Sequence, residues 1–417
     1  MDRDAVISAA ESVLTRRYGG AQKLTDVTAL SGSGVAGVYR AKVATNPFLQ
    51  HRTVVVKHSP ETGNLFDDAA FLREVVAYQF TTSLSSDVRP GPVMLGYDLD
   101  ARMIILSDAG DADTLATMLE RADDIQHVQI LRNLGTALGK MHAGTADKEA
   151  QYNALFARMT RSRTGAEKIQ QLRDRLLSHR IRLGLAILEQ AGFEVPNEVK
   201  VTASNLQSRL LRGGVRAFTP FDLSPDNVMY TDSGTQFLDY EWAGFRDATF
   251  DVAFVVAGFP LYLSPRAYHE DAVSAFIEAW LREVRGTWPL LNHEDTLQAR
   301  ITAGMIGWAL SSLTVLNPVA LAEVVATDEE LATEFAAAGV DVNEEVAESV
   351  LGFADAGISS GDMLRPASEG PFSHEELIVR EDLHETFNAL AAYAGTGRDT
   401  AYLVISQFAS DVAQRLK

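Results

Sequence analysis

Two polar residues, Asp222 and Asn227, lie five positions apart in the segment FTPFDLSPDNVMY. At this D-x-x-x-x-N spacing a carboxylate can meet the hydroxyl group of a substrate while the amide oxygen binds a metal ion, as phosphoryl transfer requires. The alternative is a polar loop that carries an aspartate and an asparagine incidentally. The segments that precede and follow this pair therefore decide which interpretation is favoured.

The chain after Asn227 is predicted to form a hairpin. Residues 228–231 have strand character, residues 232–234 form a tight turn, and residues 235–240 form the returning strand. Such a hairpin would bring Asp239 back beside Asn227. An amide oxygen and a carboxylate are hard ligands of the kind that Mg²⁺ prefers, with water and nucleotide phosphates completing its shell. Asn227 and Asp239 are therefore the candidate metal ligands.

A glycine-rich turn lies near the start of the chain, in GSGVAGVY. Its candidate phosphate-binding residues are Gly32, Ser33, Gly34 and Gly37. Glycine has no Cβ, so backbone N–H groups of such a turn can close over phosphate oxygens. A dinucleotide-binding fold would need a helix directly after the glycines, whereas VYRAKVAT favours a strand. Most glycine-rich hairpins bind nothing, so the turn alone does not specify a site.

Two charged residues follow the glycine turn in a suggestive order. Lys57 ends the β-branched run TVVVK, and Glu74 lies 17 positions later in a predicted helix. A lysine at the end of a buried strand can neutralise phosphate oxygens, and a glutamate can hold it in place by a charge-assisted hydrogen bond. The alternatives are a surface lysine and an exposed helix carboxylate. The order of glycine turn, lysine, glutamate and two further strands favours a nucleotide site.

The elements that position these residues are strands in the first quarter of the chain and helices after it. A first helix is predicted over residues 5–17, followed by five strands with one helix after the third strand, ending by about residue 106. Helical patterns then continue, interrupted only around residues 215–240. Ser264-Pro265 is predicted to begin a late helix whose apolar face is core. The members of that face are Val273, Phe276, Ile277, Trp280, Leu281 and Val284.

Composition excludes several classes of function. The net charge of −19 argues against nucleic-acid binding, and the absence of cysteine excludes disulfides and thiolate chemistry. The start of the chain lacks the pattern of a signal peptide, and the longest apolar run has 12 residues, too few to span a membrane. We therefore expect a cytoplasmic protein. Residues 301–364 contain acidic residues but no lysine or arginine; they could attract a cationic substrate or form a solvated face.

Over residues 24–260 the chain resembles the aminoglycoside phosphotransferase and choline kinase-like family, above all in FDLSPDNVMY and FLDYEWAGFRDATFDVAF. This resemblance implies an α+β, two-lobed protein-kinase-like fold, with a small antiparallel-sheet N-lobe (1–106), a hinge (107–111) and a larger, mostly helical C-lobe (112–417). It implies transfer of the γ-phosphate of ATP or GTP, with Mg²⁺, to a hydroxyl of a small molecule.

The resemblance also implies roles for individual residues. Gly32, Gly34 and Gly37 would form the phosphate loop, Lys57 with its partner Glu74 would clamp the phosphates, and the backbone near Ser107 and Ala109 would face the adenine. Asp222 would be the catalytic base, and Asn227 and Asp239 the magnesium ligands. Glu241 matches a second acid of the family, Asp251 a buried aspartate that supports the catalytic loop, and His142 a packed histidine.

The sequence departs from the family directly before Asp222. The family has His-Gly there, and this chain has Pro220-Phe221. The departure favours a second hypothesis, a nucleotide-binding pseudokinase with a scaffold or regulatory role, whereas the intact Lys57 and Asp222 favour an active enzyme. A purely structural helical protein would make the whole series of motifs coincidental. The identity of the acceptor, the choice between ATP and GTP and the oligomeric state stay open.

Overall fold

A five-stranded antiparallel sheet forms the N-terminal part of the protein. The structure is a computed structural model, which describes residues 1–30, 36–45, 47–161, 163–232, 234–263, 268–317, 329–340 and 362–417. The strands are β1 (Leu24–Leu30), β2 (Gly37–Val43), β3 (Thr53–His58), β4 (Met94–Asp98) and β5 (Met103–Ser107). Their order across the sheet is β1-β2-β3-β5-β4, which confirms the expected strands.

Two helices cover the two faces of this sheet: α1 (Arg3–Tyr18) and α2 (Leu65–Ser83). Successive residues of a strand point to opposite faces, and in β3 the fully buried Val54 and Val56 belong to the apolar cluster that contains α1. Ile104 on β5 belongs instead to the cluster that contains α2. Lys57, which alternates with Val56, therefore points toward α2 and the C-terminal part of the protein.

The remainder of the described chain is mostly helical. Its helices are α3 (Leu115–Arg121), α4 (Asp124–Thr145), α5 (Glu149–Thr160), α6 (Ala166–Gln190), α7 (Asn197–Arg212), α8 (Thr249–Val256), α9 (Glu270–Val284), α10 (Glu294–Leu316), α11 (Glu329–Ala338), α12 (His374–Gly395) and α13 (Thr400–Leu416). Its short strands are β6 (Asp113–Thr114), β7 (Arg216–Thr219), β8 (Val228–Thr231), β9 (Gly234–Phe237) and β10 (Gly244–Asp247). They pair as β6-β8-β9 and β10-β7, so strand structure extends beyond the interval that the sequence predicted.

Helices α4 and α9 pack closely. A Cβ atom at Gly135 would lie 2.4 Å from the carbonyl oxygen of Phe276, so only glycine permits this approach. Phe276, Trp280 and Val284 are fully buried, as the apolar face of α9 predicts. The predicted start of the helix was wrong, because α9 begins at Glu270 after the N-cap His269. The Ser264-Pro265 pair lies outside the described residues.

The hairpin of β8 and β9 carries the candidate metal ligands. Val228 pairs with Phe237, and the amide of Leu238 donates to the carbonyl oxygen of Asn227 at 2.8 Å. The returning strand ends at Phe237, so its predicted extension to residue 240 was wrong. Asp239 has a φ of +57°, a left-handed conformation that no extended strand accommodates. The chain turns here instead of continuing the ladder.

Among the described helices, α10 alone is long and apolar enough to cross a membrane by length and composition, with a mean hydropathy of 1.3 over 18 residues. Of that window, 83% is buried inside the protein, where α10 packs against α6, α8 and α12. This degree of burial is typical of a core helix.

Candidate active site

Lys57 lies at the centre of the candidate site. Its Nζ atom is 2.8 Å from Oε1 of Glu74 and 3.1 Å from Oδ1 of Asp239. The side chain of Glu74 is 3% exposed, and that of Asp239 is 36% exposed. One lysine therefore joins β3, α2 and the chain after β9, which brings residues 182 positions apart into direct contact.

A second residue of α2, Tyr78, supports the same contact. It follows Glu74 by four positions, so both side chains lie on one face of the helix. The backbone amide of Asp239 donates to the hydroxyl oxygen of Tyr78 at 3.3 Å, and the rings of Tyr78 and Tyr240 lie 4.7 Å apart. The sequence did not predict this role of Tyr78, although Tyr78 stands at helical spacing from Glu74.

The loop that contains Asp222 is held by its own side chains. Oδ1 of Asp222 accepts hydrogen bonds from the amide of Ser224 at 3.0 Å and from its hydroxyl at 2.6 Å. Oδ2 accepts one from Nδ2 of Asn227 at 3.2 Å. The carboxylate is thus fixed from two sides. Ser224 is a second residue that sequence analysis missed, and its position two residues after Asp222 was the available signal.

Three carboxyl groups lie around Lys57. Besides Glu74 and Asp239, the carboxyl group of Glu241 lies close enough to interact with all three groups. Burial lowers the pKa of Lys57, but the negative charges of Asp239 and Glu74 outweigh it and hold that pKa well above its ordinary value. Burial raises the pKa of Glu74 to about 7 and that of Glu241 to about 8. Lys57 is thus surrounded by three carboxyl groups, and Glu241 also interacts with the positive charge of Arg173.

Two oxygen donors beside Lys57 suit a divalent cation. Asn227 donates through Nδ2, which leaves its Oδ1 atom for a cation, and the carboxylate of Asp239 is partly exposed. Both are oxygen donors of the kind that Mg²⁺ prefers. In the part of the chain that the structure describes, no group of three or more His, Cys, Asp or Glu residues could hold a metal ion. Phosphate oxygens and water would therefore supply the rest of the shell.

The environment of Asp222 affects its proton affinity. Burial raises its pKa, the hydrogen bonds from Ser224 oppose that change, and the negative charge of Asp239 adds to it. The surface of the side chain is only partly covered. A carboxyl group with a raised pKa is a better proton acceptor when it is ionised. Asp222 thus has the chemistry of a general base.

Phe221, directly before Asp222, adopts a φ of +70°. A left-handed conformation costs a non-glycine residue about 1–2 kcal/mol. The Phe221 side chain is 7% exposed, and the guanidinium carbon of Arg246 lies 4.7 Å from the centre of its ring. Phe221 therefore combines a strained backbone with close packing of its side chain. It stands where the sequence departs from the His-Gly of the family.

Two buried polar residues, His142 and Asp251, support the loop that contains Asp222. Nε2 of His142 is 3.2 Å from Oδ2 of Asp251, and Nε1 of Trp280 donates to Nδ1 of His142 at 3.0 Å. Because Nδ1 accepts, the proton of a neutral His142 is assigned to Nε2, which donates to Asp251. The backbone amide of Phe221 also lies within hydrogen-bonding reach of Asp251. Asp251 thus contacts the loop through Phe221 and the buried core through His142.

The segments expected to contact the nucleotide are described only in part. Gly32, Ser33 and Gly34 lie outside the described residues, and Gly37 begins β2 opposite His58. The amide and hydroxyl groups of Ser107 both bond the backbone of Val93, at 2.8 and 2.9 Å, so its side chain is directed to the neighbouring strand. Ala109 is half-buried in the segment after β5.

Part of the acidic region is described. Glu334 on α11 pairs with Nε of Arg175 at 3.1 Å and with Nε2 of His179 at 3.1 Å, both on α6. Residues 318–328 and 341–361 lie outside the described residues. At Glu334 the negative charge is paired with basic residues. The attraction of a cationic substrate by this region stays a prediction.

No family model matches the sequence, and a search of curated proteins finds no match. Solved structures similar to this chain include a choline kinase from Cryptosporidium parvum Iowa II, with a TM-score of 0.46 and 12% identity over 85% of this chain and 99% of that chain. A macrolide 2'-phosphotransferase from Brachybacterium faecium has a TM-score of 0.42 and 16% identity, over 83% of this chain and 98% of that chain.

These similarities are in the path of the backbone. The side-chain contacts of Lys57 and Asp222 described above do not depend on them. The five-stranded antiparallel sheet and the larger, mostly helical C-terminal part have the two-lobed, protein-kinase-like arrangement that the sequence predicted.

Proposed function

We propose that the protein transfers the γ-phosphate of ATP or GTP to a hydroxyl group of a small molecule. The observation that carries this proposal is the contact of Lys57 with both Glu74 and Asp239, close to a loop in which Asp222 and Asn227 are hydrogen-bonded. Phosphoryl transfer needs little covalent work from a protein and depends on positioning and electrostatics. The five side chains supply both.

Each residue has a role in this proposal. Lys57, held by the buried Glu74, would neutralise the oxygens of the donor phosphates. Asp222, fixed by Ser224, would orient the acceptor hydroxyl for attack and accept its proton as the new bond to phosphorus forms. Asn227 and Asp239 would hold Mg²⁺, which would neutralise charge on the phosphates.

Two substitutions test the proposal by their different effects. Asp222→Asn should abolish transfer and leave the affinity for Mg-nucleotide nearly unchanged, because Asp222 acts on the acceptor. Asp239→Asn should lose both transfer and magnesium-dependent nucleotide binding, because it removes a metal ligand. The matched control is Asp226→Asn, the same chemical change at an exposed position of the same loop, which should alter neither.

The assay would combine calorimetric titration with Mg-ATP and Mg-GTP with a screen of hydroxyl compounds for release of nucleoside diphosphate. Amino alcohols, aminoglycosides, macrolides and sugars are the first acceptors to include. Nucleotide binding that Asp239→Asn leaves unchanged would contradict the assignment of the site.

The alternative is a nucleotide-binding regulator that transfers no phosphate, and the Pro220-Phe221 sequence favours it. It predicts binding of nucleotide by the wild type, no transfer to any acceptor and no effect of Asp222→Asn. The same two measurements therefore separate the two functions.

A further inference from the structure

Arg40 lies on the face of the sheet that carries Lys57. In the pairing of β2 with β3, Val38 is opposite Lys57 and Arg40 is opposite Val55. Residues two positions apart on a strand point to the same face, and directly paired residues share a face. The Arg40 side chain therefore lies on the face of the sheet that is directed to the C-terminal lobe.

The guanidinium group of Arg40 binds the segment that follows β5. Its Nε atom is 3.0 Å from Oδ2 of Asp108, and its Nη2 atom is 3.1 Å from Oδ1 of the same carboxylate. Nη2 also donates to the carbonyl oxygen of Gly110 at 2.8 Å, and Nη1 pairs with Asp111. The side chain of Asp108 is 6% exposed. Nη2 therefore makes a charge-assisted hydrogen bond to Asp108, and the close Nε atom adds to the ion pair without a hydrogen bond of its own.

This contact crosses the sheet. Strand β3 separates β2 from β5, and neighbouring strands are about 4.8 Å apart, so the side chain of Arg40 must pass below Val55. In the proposed function the donor phosphates lie at Lys57, which follows Val55 by two residues on β3. The base of the nucleotide contacts the backbone near residues 107–109. The base would need the volume that the Arg40–Asp108 contact fills.

We propose that Arg40 is a gate at the base end of the nucleotide site, closed by its contact with Asp108 and displaced when a nucleotide binds. This inference rests on the proposed function. A closed gate reduces the apparent affinity for nucleotide by the fraction of molecules in which it is open. If about one molecule in ten is open, removal of the gate strengthens binding about tenfold.

Arg40→Ala removes the gate, and Lys42→Ala is the matched control. Lys42 lies two residues further on the same strand, pairs with Asp26 at 2.9 Å and is 64% exposed, so both variants lose one positive charge. Titration calorimetry with Mg-ATP and Mg-GTP should show about tenfold tighter binding to Arg40→Ala and wild-type affinity for Lys42→Ala. Mg-tripolyphosphate has no base and should bind all three proteins equally.

A second measurement does not depend on nucleotide. The backbone amides of residues 108–111 should exchange their hydrogens faster in Arg40→Ala than in the wild type, because the guanidinium group no longer ties this segment to β2. The rate in Lys42→Ala should be unchanged.

Two results would overturn the gate alone. Weaker nucleotide binding by Arg40→Ala would make Arg40 a ligand of the nucleotide, and unchanged binding would place its contact outside the nucleotide path. The proposed function would fail as well, and the gate with it, if neither the wild type nor Arg40→Ala bound any nucleotide or tripolyphosphate. If Arg40→Ala bound nucleotide more weakly than the wild type or equally well, binding of tripolyphosphate that is lost in Lys57→Ala would show that the gate alone had failed.

Discussion

The ring of Phe221 packs against Trp308 of α10, with centroids 4.9 Å apart and planes inclined by 38°. Arg246 covers the same ring, and Phe221 holds this place with a φ of +70°. A bulky residue in a left-handed conformation directly before the candidate base couples the geometry of the loop to the core of the C-terminal lobe. Two opposing contributions to stability, backbone strain and side-chain packing, meet in this residue.

Replacement of Phe221 separates these contributions. Loss of a buried phenylalanine side chain costs about 3–5 kcal/mol, whereas relief of a left-handed conformation returns about 1–2 kcal/mol. Phe221→Gly should therefore lower the free energy of unfolding by about 2 kcal/mol. Phe221→Ala loses the packing and keeps the strain, so it should be less stable than Phe221→Gly by about 1 kcal/mol. Urea denaturation of the three proteins measures both differences, and an alanine variant more stable than the glycine variant would contradict the strain.

Titration of Glu74 should make stability depend on pH. Its pKa is raised by burial from an ordinary 4.5 to about 7, so between these values the folded state binds more protons than the unfolded state. The free energy of unfolding of the wild type, relative to Glu74→Gln, should then fall as pH rises from about 4.5 to about 7.

Urea denaturation without nucleotide or metal, at several pH values, measures this difference. Lys57 stays protonated throughout the window, because its pKa is raised well above 10.5, so its own titration does not contribute. A difference that grows with pH would mean that the ion pair with Lys57 outweighs the burial of Glu74.

Asp174 joins two buried arginines, and its removal should destabilise the protein. Its carboxylate lies 3.0 Å from Arg73 and 3.0 Å from Arg246, whose side chains are 4% and 2% exposed. Breaking a buried ion pair costs about 3–5 kcal/mol, and Asp174 is itself partly exposed, so Asp174→Asn should cost about 2–3 kcal/mol. Because Arg73 precedes Glu74 on α2, the affinity for nucleotide should fall as well.

Glu294→Gln is the control for this prediction, because Glu294 pairs with Arg398 in an ion pair in which both side chains are 75% exposed. Exposed pairs contribute little, so this variant should keep the stability and nucleotide affinity of the wild type. Equal effects of the two substitutions on thermal unfolding would contradict a special role for the buried arginines.

Asp382 on α12 holds a strained segment that precedes the undescribed residues 264–267. Its carboxylate accepts hydrogen bonds from the amides of Leu261 at 3.0 Å and Leu263 at 3.2 Å, and these leucines have φ values of +72° and +54°. Asp382→Ala removes both acceptors; an unsatisfied buried amide costs about 1–3 kcal/mol, and these two amides are partly buried. We expect a loss of about 2–4 kcal/mol and faster hydrogen exchange at both amides.

Asp382→Asn keeps one acceptor oxygen, so it should lose less stability and protect one of the two amides. If Asp382→Ala left the exchange of Leu261 and Leu263 unchanged, the segment would be held by other contacts.

The fold of the N-terminal lobe was largely predictable, because its signals are local. Val54, Val55 and Val56 favour a strand in any surroundings, and the helical spacing of Phe71, Val75 and Tyr78 indicated α2 without knowledge of its partners. The end of β9 was not predictable, because Asp239 leaves the ladder for a contact with Lys57, which is far away in sequence. The start of α9 was also missed: the helix begins at Glu270, and Ser264-Pro265 lies outside the described residues.

The contacts of the candidate site also fall into two groups, those set by local sequence and those set by tertiary structure. The sequence by itself determined that Asp222 and Asn227 are close, because five residues of a tight loop cannot separate them. Only the tertiary structure decided that Lys57 meets Glu74 and Asp239 and that Arg40 meets Asp108, because those distances depend on the register of strands and on the packing of the lobes. The packing that holds Phe221 in its left-handed conformation likewise comes from helices distant in the chain. The spacing of residues in the sequence decides which side chains lie in the same turn. The burial of apolar surface over the whole chain decides which turns come into contact with one another.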